Sequence, residues 1–419
     1  MPNPDSPSPS IDDRPAYDAV IVGASIAGCS AAIRLGRSGA RVALVEKKPD
    51  PGAYKRTCSH FIQAGGVPAI ERLGLLDEIE AAGGKRSRMH AWTKWGWIEA
   101  PPEEAGRALN LRREVLDPLL RSAAAETPGV ELMLGWGAER LLREGDSFAG
   151  VAVRHPKGEE REIRARLTVG ADGRDSRVAE LSGVRVKTYP HGRFAYGAYF
   201  EGAPPAYAPD ATIWMMDPQW AAAFPTDAGL TFYAAMPTKD RLPEFRRDPL
   251  RALVDFVGDV PEGPPIREGR LVGSVTGKVD MTNRKREPVA PGLALIGDAA
   301  LATDPLFGVG CGWAFQSAEW LCESTEPALR DAEPLEQGLE RYRRRHSKEL
   351  RGHTFFIHDY ATGRRFNSTE RLMFAAAARD PRSASLFDLL GTRRARPTQL
   401  FPRLVSRAIA VNTRHALAR

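Results

Sequence analysis

Apolar positions along this chain follow two rhythms, and their alternation predicts most of its elements. Residues 17–22 form a short apolar run ending at glycine, as expected of a strand buried in a parallel sheet. From 28 to 38 the apolar residues recur at helical spacing until Gly39 stops them, and 41–46 is a second buried strand. Strand, glycine turn, helix and strand within about 30 residues make a βαβ unit with a right-handed crossover. The pattern next predicts a helix over 66–82, one or two strands over 85–100, and a strongly amphipathic helix over 111–126. Alternating apolar residues between 130 and 169 predict a small antiparallel meander that returns into a buried strand over 167–171.

The texture changes between 191 and 286. Short aromatic strands over 194–200, 212–216, 220–224 and 230–235, separated by Pro, Gly and Asp, predict an antiparallel sheet inserted into the α/β frame. The frame resumes with a strand over 292–296 and a helix over 312–322. Everything from about 335 reads as helical, with Phe401, Leu404, Val405, Ala408 and Ile409 on one packed face. The fold class is α/β, a Rossmann-like nucleotide-binding domain with an inserted β-sheet domain and a helical C-terminal region. Its expected divisions are 16–90, 105–190 and 275–330 for nucleotide, 91–104 and 191–274 for substrate, and 331–419 for the helices. Residues 1–15, rich in Pro, Ser and Asp, read as a disordered leader.

Composition narrows the class. With 419 residues, 42% hydrophobic and 27% charged, the chain has room for two domains or one large α/β domain with insertions. No apolar run reaches the roughly 20 residues that span a bilayer. Cys29, Cys58, Cys311 and Cys322 are scattered with no C-x-x-C, so no zinc site or disulfide framework is indicated, and a reducing cytoplasm is the default. From Arg341 onward eighteen Lys and Arg stand against five Asp and Glu, which more than accounts for the net charge of +6. Solvated helix faces explain that excess. The alternative is a docking face for an acidic carrier protein or for anionic headgroups. No aromatic-and-basic strand motif points to nucleic acid.

Chemistry enters at Gly23-Ala-Ser-Ile-Ala-Gly28, a G-x-G-x-x-G turn with Ser25 at its second glycine. The first glycine of such a turn needs an unusual backbone conformation, the second lets backbone approach a pyrophosphate, and the third lets helix and strand pack closely. Serine is small, and the helix start offers free N–H groups to an anion. Glu46, at the end of the second strand, is placed to accept from an adenosine ribose and repels a 2′-phosphate, which favours FAD or NAD over NADP.

Two later motifs decide between those. Asp172-Gly173 follows one buried strand and Gly297-Asp298 another, the latter continuing through Pro305, Gly308, Gly310 and Cys311 to Gly312 at a helix start. In order and spacing the three motifs resemble the single-component flavin monooxygenases (aromatic hydroxylases, group A), which share a frame with flavin halogenases and geranylgeranyl-type reductases. The resemblance covers about 17–330. It implies a GR2-type FAD-binding domain in which Gly23, Ser25, Ile26, Ala27, Gly28, Glu46, Lys47, Arg56, Arg113, Ala138, Asp172, Asp298, Pro305, Gly308, Gly310, Cys311 and Gly312 hold one FAD, with NAD(P)H as transient co-substrate. Ala179 stands where many members have arginine.

The resemblance further implies hydroxylation or epoxidation of a sizeable apolar or aromatic molecule through a flavin C4a-hydroperoxide, in a site that excludes water. The Pro/Ala/Arg-rich composition suggests a high-GC bacterial genome, where such enzymes tailor secondary metabolites such as antibiotics. Trp92, Trp97, Trp214, Trp220, Phe224, Phe232 and Pro305 are the expected substrate wall. No general base is evident; His60 and Arg56 are the catalytic candidates. A reductase or dehydrogenase of a carbon–carbon bond remains the alternative, and a non-enzymatic escort of the same fold lies behind it. The run Trp95-Gly-Trp-Ile-Glu-Ala-Pro101 approaches a halogenase W-x-W-x-I-P but sets Ile98 and Pro101 at other offsets. The sequence leaves monomer and homodimer open and indicates no metal.

Overall fold

The computed structural model describes residues 16–418, so the expected leader over 1–15 lies outside the described residues. Five parallel strands form the body of an eight-stranded main sheet, in the order Leu293–Leu295, Glu160–Gly170, Tyr17–Val22, Val42–Glu46, Val130–Leu134. Apolar residues of both parities are needed because both faces are covered. Ala19, Ile21, Val42 and Leu44 pack toward helices Ile26–Arg37 and Gly310–Leu329, while Val20, Val22, Ala43 and Val45 pack toward Phe148, Val151 and Val153. Those three belong to the meander. Glu160–Gly170 serves three partners, pairing antiparallel with Ser147–Arg154 at its start and parallel with Tyr17–Val22 and Leu293–Leu295 at its end.

A second sheet of seven strands runs in the order Arg270–Lys278, Ala195–Glu201, Leu230–Met236, Trp220–Pro225, Ala211–Met215, Met89–Thr93, Gly96–Ile98. Every pairing is antiparallel except that of Ala211–Met215 with Met89–Thr93. One face packs Phe194, Trp214 and Tyr233 against Phe245 and Phe256 of two short helices, Leu242–Arg247 and Pro249–Gly258. The other face presents Ile213, Met215, Trp220, Ala222, Phe224, Phe232, Ala234 and Met236.

Helices Leu335–Tyr360, Ser368–Ala377, Pro381–Gly391 and Pro397–Leu417 make the C-terminal region. They are no appendage: Tyr360, Phe366, Phe374 and Ala384 share a core with that second face. Three sequence expectations shift. The helix expected over 66–82 is two, Val67–Leu73 and Leu76–Ala81, because Gly74 caps the first at φ 70°. The helix expected at 312 starts at Gly310 and runs to Leu329. In the last helix Leu404, Ala408 and Val411 are buried, whereas Ile409 is 53% exposed. Five residues beyond Leu404, it has rotated off the buried stripe. Among the described residues no helix is long and apolar enough to cross a membrane.

Candidate functional site

The glycine turn is fixed by contacts that admit no side chain. Gly23 has φ 107°, and a Cβ on it would meet the Ala171 carbonyl oxygen at 2.6 Å; a Cβ on Gly28 would fall 1.8 Å from the Gly23 oxygen. Ser25 instead has φ −120°, ordinary for any L residue, so the second position tolerates a side chain. Glu46 braces the turn: one carboxylate oxygen accepts from Ala24 N–H at 3.0 Å and the other from Lys48 N–H at 3.0 Å.

Helix Arg113–Glu126 turns a charged stripe toward this point. Arg113, Asp117 and Arg121 recur at four-residue spacing and all three are buried. The Arg113 guanidinium donates to Asp117 at 2.7 and 2.9 Å and to the Ser25 hydroxyl at 2.6 Å. Arg121 donates to Ala24 and Pro51 carbonyls at 3.1 and 2.9 Å. Sequence reasoning found Arg113 but not Asp117, Arg121 or Lys55. The first two were signalled by charges at i and i+4 interleaved with Leu116, Leu120 and Ala124 on a core-facing side.

Asp172 receives Ser176 O–H and the N–H groups of Arg177 and Val178, at 2.6 and 3.1 Å for the two amides, which caps helix Arg177–Ser182. Asp298 lies 3.0 Å from Lys55 Nζ. Burial works to raise the Asp298 pKa, but Lys55 and Arg174 outweigh it and its carboxyl titrates below the ordinary value. After it, Pro305–Phe307 is a short helical turn stopped by Gly308 at φ 61°, and Gly310 opens the long helix. A Cβ on Gly66 would approach Gly312 Cα to 2.6 Å, so Gly66 is the glycine this close packing requires, whereas a Cβ on Gly312 would meet Gly66 Cα at an ordinary 3.5 Å.

These segments line one cavity of about 1110 Å³. One half is the polar trough just described, holding Gly23, Ser25, Ile26, Ala27, Glu46, Lys47, Arg56, Arg113, Asp172, Asp298, Pro305, Gly308, Gly310 and Cys311. The other half is an apolar chamber. Trp220, Phe224 and Phe232 reach it from the second sheet, and Phe355, Tyr360, Phe366, Met373, Phe374, Phe387 and Phe401 from the C-terminal helices. The helical contribution was not foreseen, because helical spacing alone does not say which sheet an apolar stripe covers.

Several expected residues sit elsewhere. Trp92, Trp97 and Trp214 are not on the cavity. Trp214 packs into the opposite face with its indole N–H on the Pro261 carbonyl at 3.0 Å, and Trp92 and Trp97 pack against that cluster. Strand parity decides this: Ile213 and Met215 point one way and Trp214 the other. Ala138 lies in the strand Gly137–Glu144, packed against the meander core and off the cavity. Gly28 and Gly312 lie behind the wall, Gly28 as a packing position and Gly312 beside Gly66.

His60 is also behind the wall. It is 2% exposed at φ 61°, its Nδ1 accepts the Arg113 backbone N–H at 3.0 Å, and its Nε2 meets the Tyr199 hydroxyl. Burial pushes its pKa down to about 4, so it is neutral near pH 7. It is a joint between the trough and the second sheet. Arg56 is exposed at the cavity rim.

Comparison with known proteins supplies the deciding observation. Residues 16–349 match the family model described as FAD binding domain. The chain belongs to that family. It is an FAD-dependent oxidoreductase, and the cradle fits the cofactor: a turn whose two glycines have no room for a Cβ, a carboxylate at the strand end, and a glycine loop opening a 20-residue helix. Digeranylgeranylglycerophospholipid reductase 1 of Methanococcoides burtonii is 26% identical over 344 residues, covering 78% of this chain and 79% of that protein. The corresponding reductase of Thermoplasma acidophilum is 24% identical, covering 78% and 82%. Among solved structures the flavin-dependent brominase Bmp2 superposes with TM-score 0.73 at 19% identity, covering 95% of this chain and 99% of that one. PqsL of Pseudomonas aeruginosa, described as a probable FAD-dependent monooxygenase, does so with TM-score 0.65 at 22% identity, covering 90% and 100%. These structures share the fold.

Proposed function

We propose that this flavoenzyme is a monooxygenase, hydroxylating or epoxidising a sizeable apolar or aromatic molecule with NAD(P)H as reductant. The observation that carries the reading is the apolar chamber continuous with the FAD trough. Bound FAD supplies two-electron chemistry and, once reduced, reacts with dioxygen. The protein's share is binding, orientation and dryness. Arg113 and Lys55 place positive charge along the trough, and the free N–H groups at the Gly310 helix start favour negative charge. Trp220, Phe224 and Phe232 form a wall that excludes water.

Most polar groups at the chamber's helical end are already engaged, Arg393 being the exception with a buried Nε that has no hydrogen-bond partner among the described residues. The Tyr360 hydroxyl accepts from Trp220 Nε1 at 3.1 Å, and Asp359 and Glu370 hold Arg364. Apart from the Arg393 guanidinium the chamber selects by shape and apolar area, which suits a reaction that asks little acid or base of the protein.

The second reading, reduction of a carbon–carbon double bond, is favoured by the names of the two archaeal relatives. One experiment separates the readings. NADH and NADPH oxidation is followed with apolar and aromatic candidates, with and without air, and product is analysed after turnover under labelled dioxygen. Oxygen-dependent consumption with label in the product supports monooxygenation. Substrate-dependent consumption without oxygen overturns it in favour of the reductase.

A further inference from the structure

Two of the four cysteines, distant in sequence, meet on the cavity wall. Cys58 Sγ lies 3.7 Å from Cys311 Sγ, and both thiols line the trough. Cys58 belongs to the irregular segment after the second strand, with Lys55, Arg56 and Thr57 exposed beside it. Cys311 is the second residue of the long helix that opens at Gly310. The surroundings favour a thiolate. Arg113 Nη1 lies 3.9 Å from each sulfur, and the His60 backbone N–H donates to Cys58 at 3.3 Å. Cys29 and Cys322 are different: neither lines the cavity, and Cys322 merely donates to the Ala31 carbonyl at 3.7 Å.

We propose that Cys58 and Cys311 are a redox-active dithiol, closed to a disulfide by a hydroperoxide. The Cys58 thiolate attacks a peroxide oxygen; the O–O bond breaks, hydroxide leaves and takes up a proton, and Cys58 becomes a sulfenic acid. Cys311 then attacks the Cys58 sulfur; the S–O bond breaks, and the departing hydroxide takes the Cys311 proton. Two thiols and one hydrogen peroxide give one disulfide and two waters, the thiols losing the two electrons the peroxide gains.

Closure requires the sulfurs to move from 3.7 Å to the roughly 2.05 Å of a covalent bond. Cys58 has exposed chain on its N-terminal side, Lys55–Thr57, that leaves it room to travel, while Cys311 is fixed in its helix. The thiol hydrogen bond from Cys311, with His60, Arg113 and Lys55 close by, holds the Cys58 thiol well below its ordinary value despite burial, while Cys311 is held above its own. The pair is therefore asymmetric, one attacking thiol and one resolving thiol. Closure ties the 55–60 segment to the helix start across the trough floor.

The test uses the FAD-loaded full chain and hydrogen peroxide, followed by alkylation and peptide mass spectrometry, and no catalytic assay is involved. The expected result is one cross-linked peptide pair, Cys58 with Cys311, lighter by two hydrogens than the separate thiol peptides and released by dithiothreitol. Cys29 and Cys322 remain thiols. In Cys311→Ser the resolving thiol is gone, and Cys58 is expected to pass on to sulfinic acid. The proposal is overturned if wild-type Cys58 reaches sulfinic acid while Cys311 alkylates as a free thiol. Full alkylation of both after peroxide overturns it equally. The wild-type arm decides alone should the variant not fold.

Discussion

The trough and the chamber are two halves of one cavity, built on opposite principles. The trough meets its ligand with backbone: Gly23 and Gly28 have no room for a Cβ, the Gly310 helix start offers N–H groups, and Glu46 braces the turn. The chamber would meet its ligand with side chains, drawn from one parity of a sheet and from helices that follow that sheet in the chain. Backbone recognition restricts residue type at fixed spacing and so leaves a motif. Recognition by apolar shape requires only volume, and many sequences provide it.

The largest break comes from Gly28→Val. Its side chain would have to occupy space where even a Cβ lies 1.8 Å from the Gly23 oxygen. Displacement of helix or turn is expected to abolish FAD binding, read as loss of flavin absorbance relative to protein. The same change at Gly229, where nothing lies within 4 Å of a Cβ, meets no such wall, and flavin content should persist despite its φ of 69°.

Acid should separate the halves next. Burial holds His346 at about 4 and His353 at about 3 in the helix Leu335–Tyr360 behind the chamber, with His60 at about 4. Each is neutral when folded and gains a proton on unfolding at any pH between its folded value and about 6.5. Their stabilisation is therefore intact above about 6.5 and is lost as pH falls toward 4. Each contributes a slope of up to roughly 1.4 kcal/mol per pH unit in that window. Two of the three sit in the helical layer, so protection against hydrogen exchange, relative to the intrinsic rate at each pH, should fall there between pH 6 and 5 before it does in strand Tyr17–Val22. An equal fall in both would remove the distinction.

Legibility follows the same division. The βαβ unit, the Asp172 and Asp298 motifs and the Pro305–Gly312 loop could be read because each constrains residue type. Arg113 was reached through a resemblance, and its partners Asp117 and Arg121 were visible only as charges on an apolar helix face. The aromatic wall was half legible. Phe224 and Phe232 are directly paired across two strands and face the cavity, whereas Trp214 has the other parity. A list of aromatics without parity could not separate them. The helical share of the chamber was hidden because tertiary packing, and not local pattern, assigns those stripes to a sheet. Gly74 ended a helix that spacing alone had continued.

The Arg113 site tests how far the trough depends on its buried charges. Arg113→Ala leaves the Asp117 carboxylate, 1% exposed, without its cation. Breaking one side of such a pair costs about 3–5 kcal/mol. Urea unfolding should show that loss, and Arg113→Lys should recover part of it without restoring both hydrogen bonds. The chamber then has a parity test. Ala234 faces the cavity and Ala235 the opposite core. Ala234→Trp should keep FAD and stability but reduce turnover of the largest substrates about tenfold, near 1.4 kcal/mol. Ala235→Trp should overpack its core and cost about 1–3 kcal/mol of stability with no change in substrate preference.

The smallest effect belongs to the position that breaks the turn pattern. Ser25 has room for its side chain, and its hydroxyl accepts from Arg113 at 2.6 Å and approaches Asp117 at 3.4 Å. The serine thus couples the turn to the charged stripe of helix Arg113–Glu126, a task glycine cannot perform. Ser25→Ala removes one acceptor while Arg113 keeps Asp117, so the cost should be about 1 kcal/mol. Ser25→Gly restores the full pattern but loses the same bond and adds backbone freedom, so it should be no more stable than the alanine variant. FAD titration and urea unfolding of both variants measure this. If Ser25→Gly binds FAD more tightly and unfolds later than wild type, the serine is a tolerated imperfection; equal or weaker behaviour makes it the link that joins strand, helix and cofactor trough.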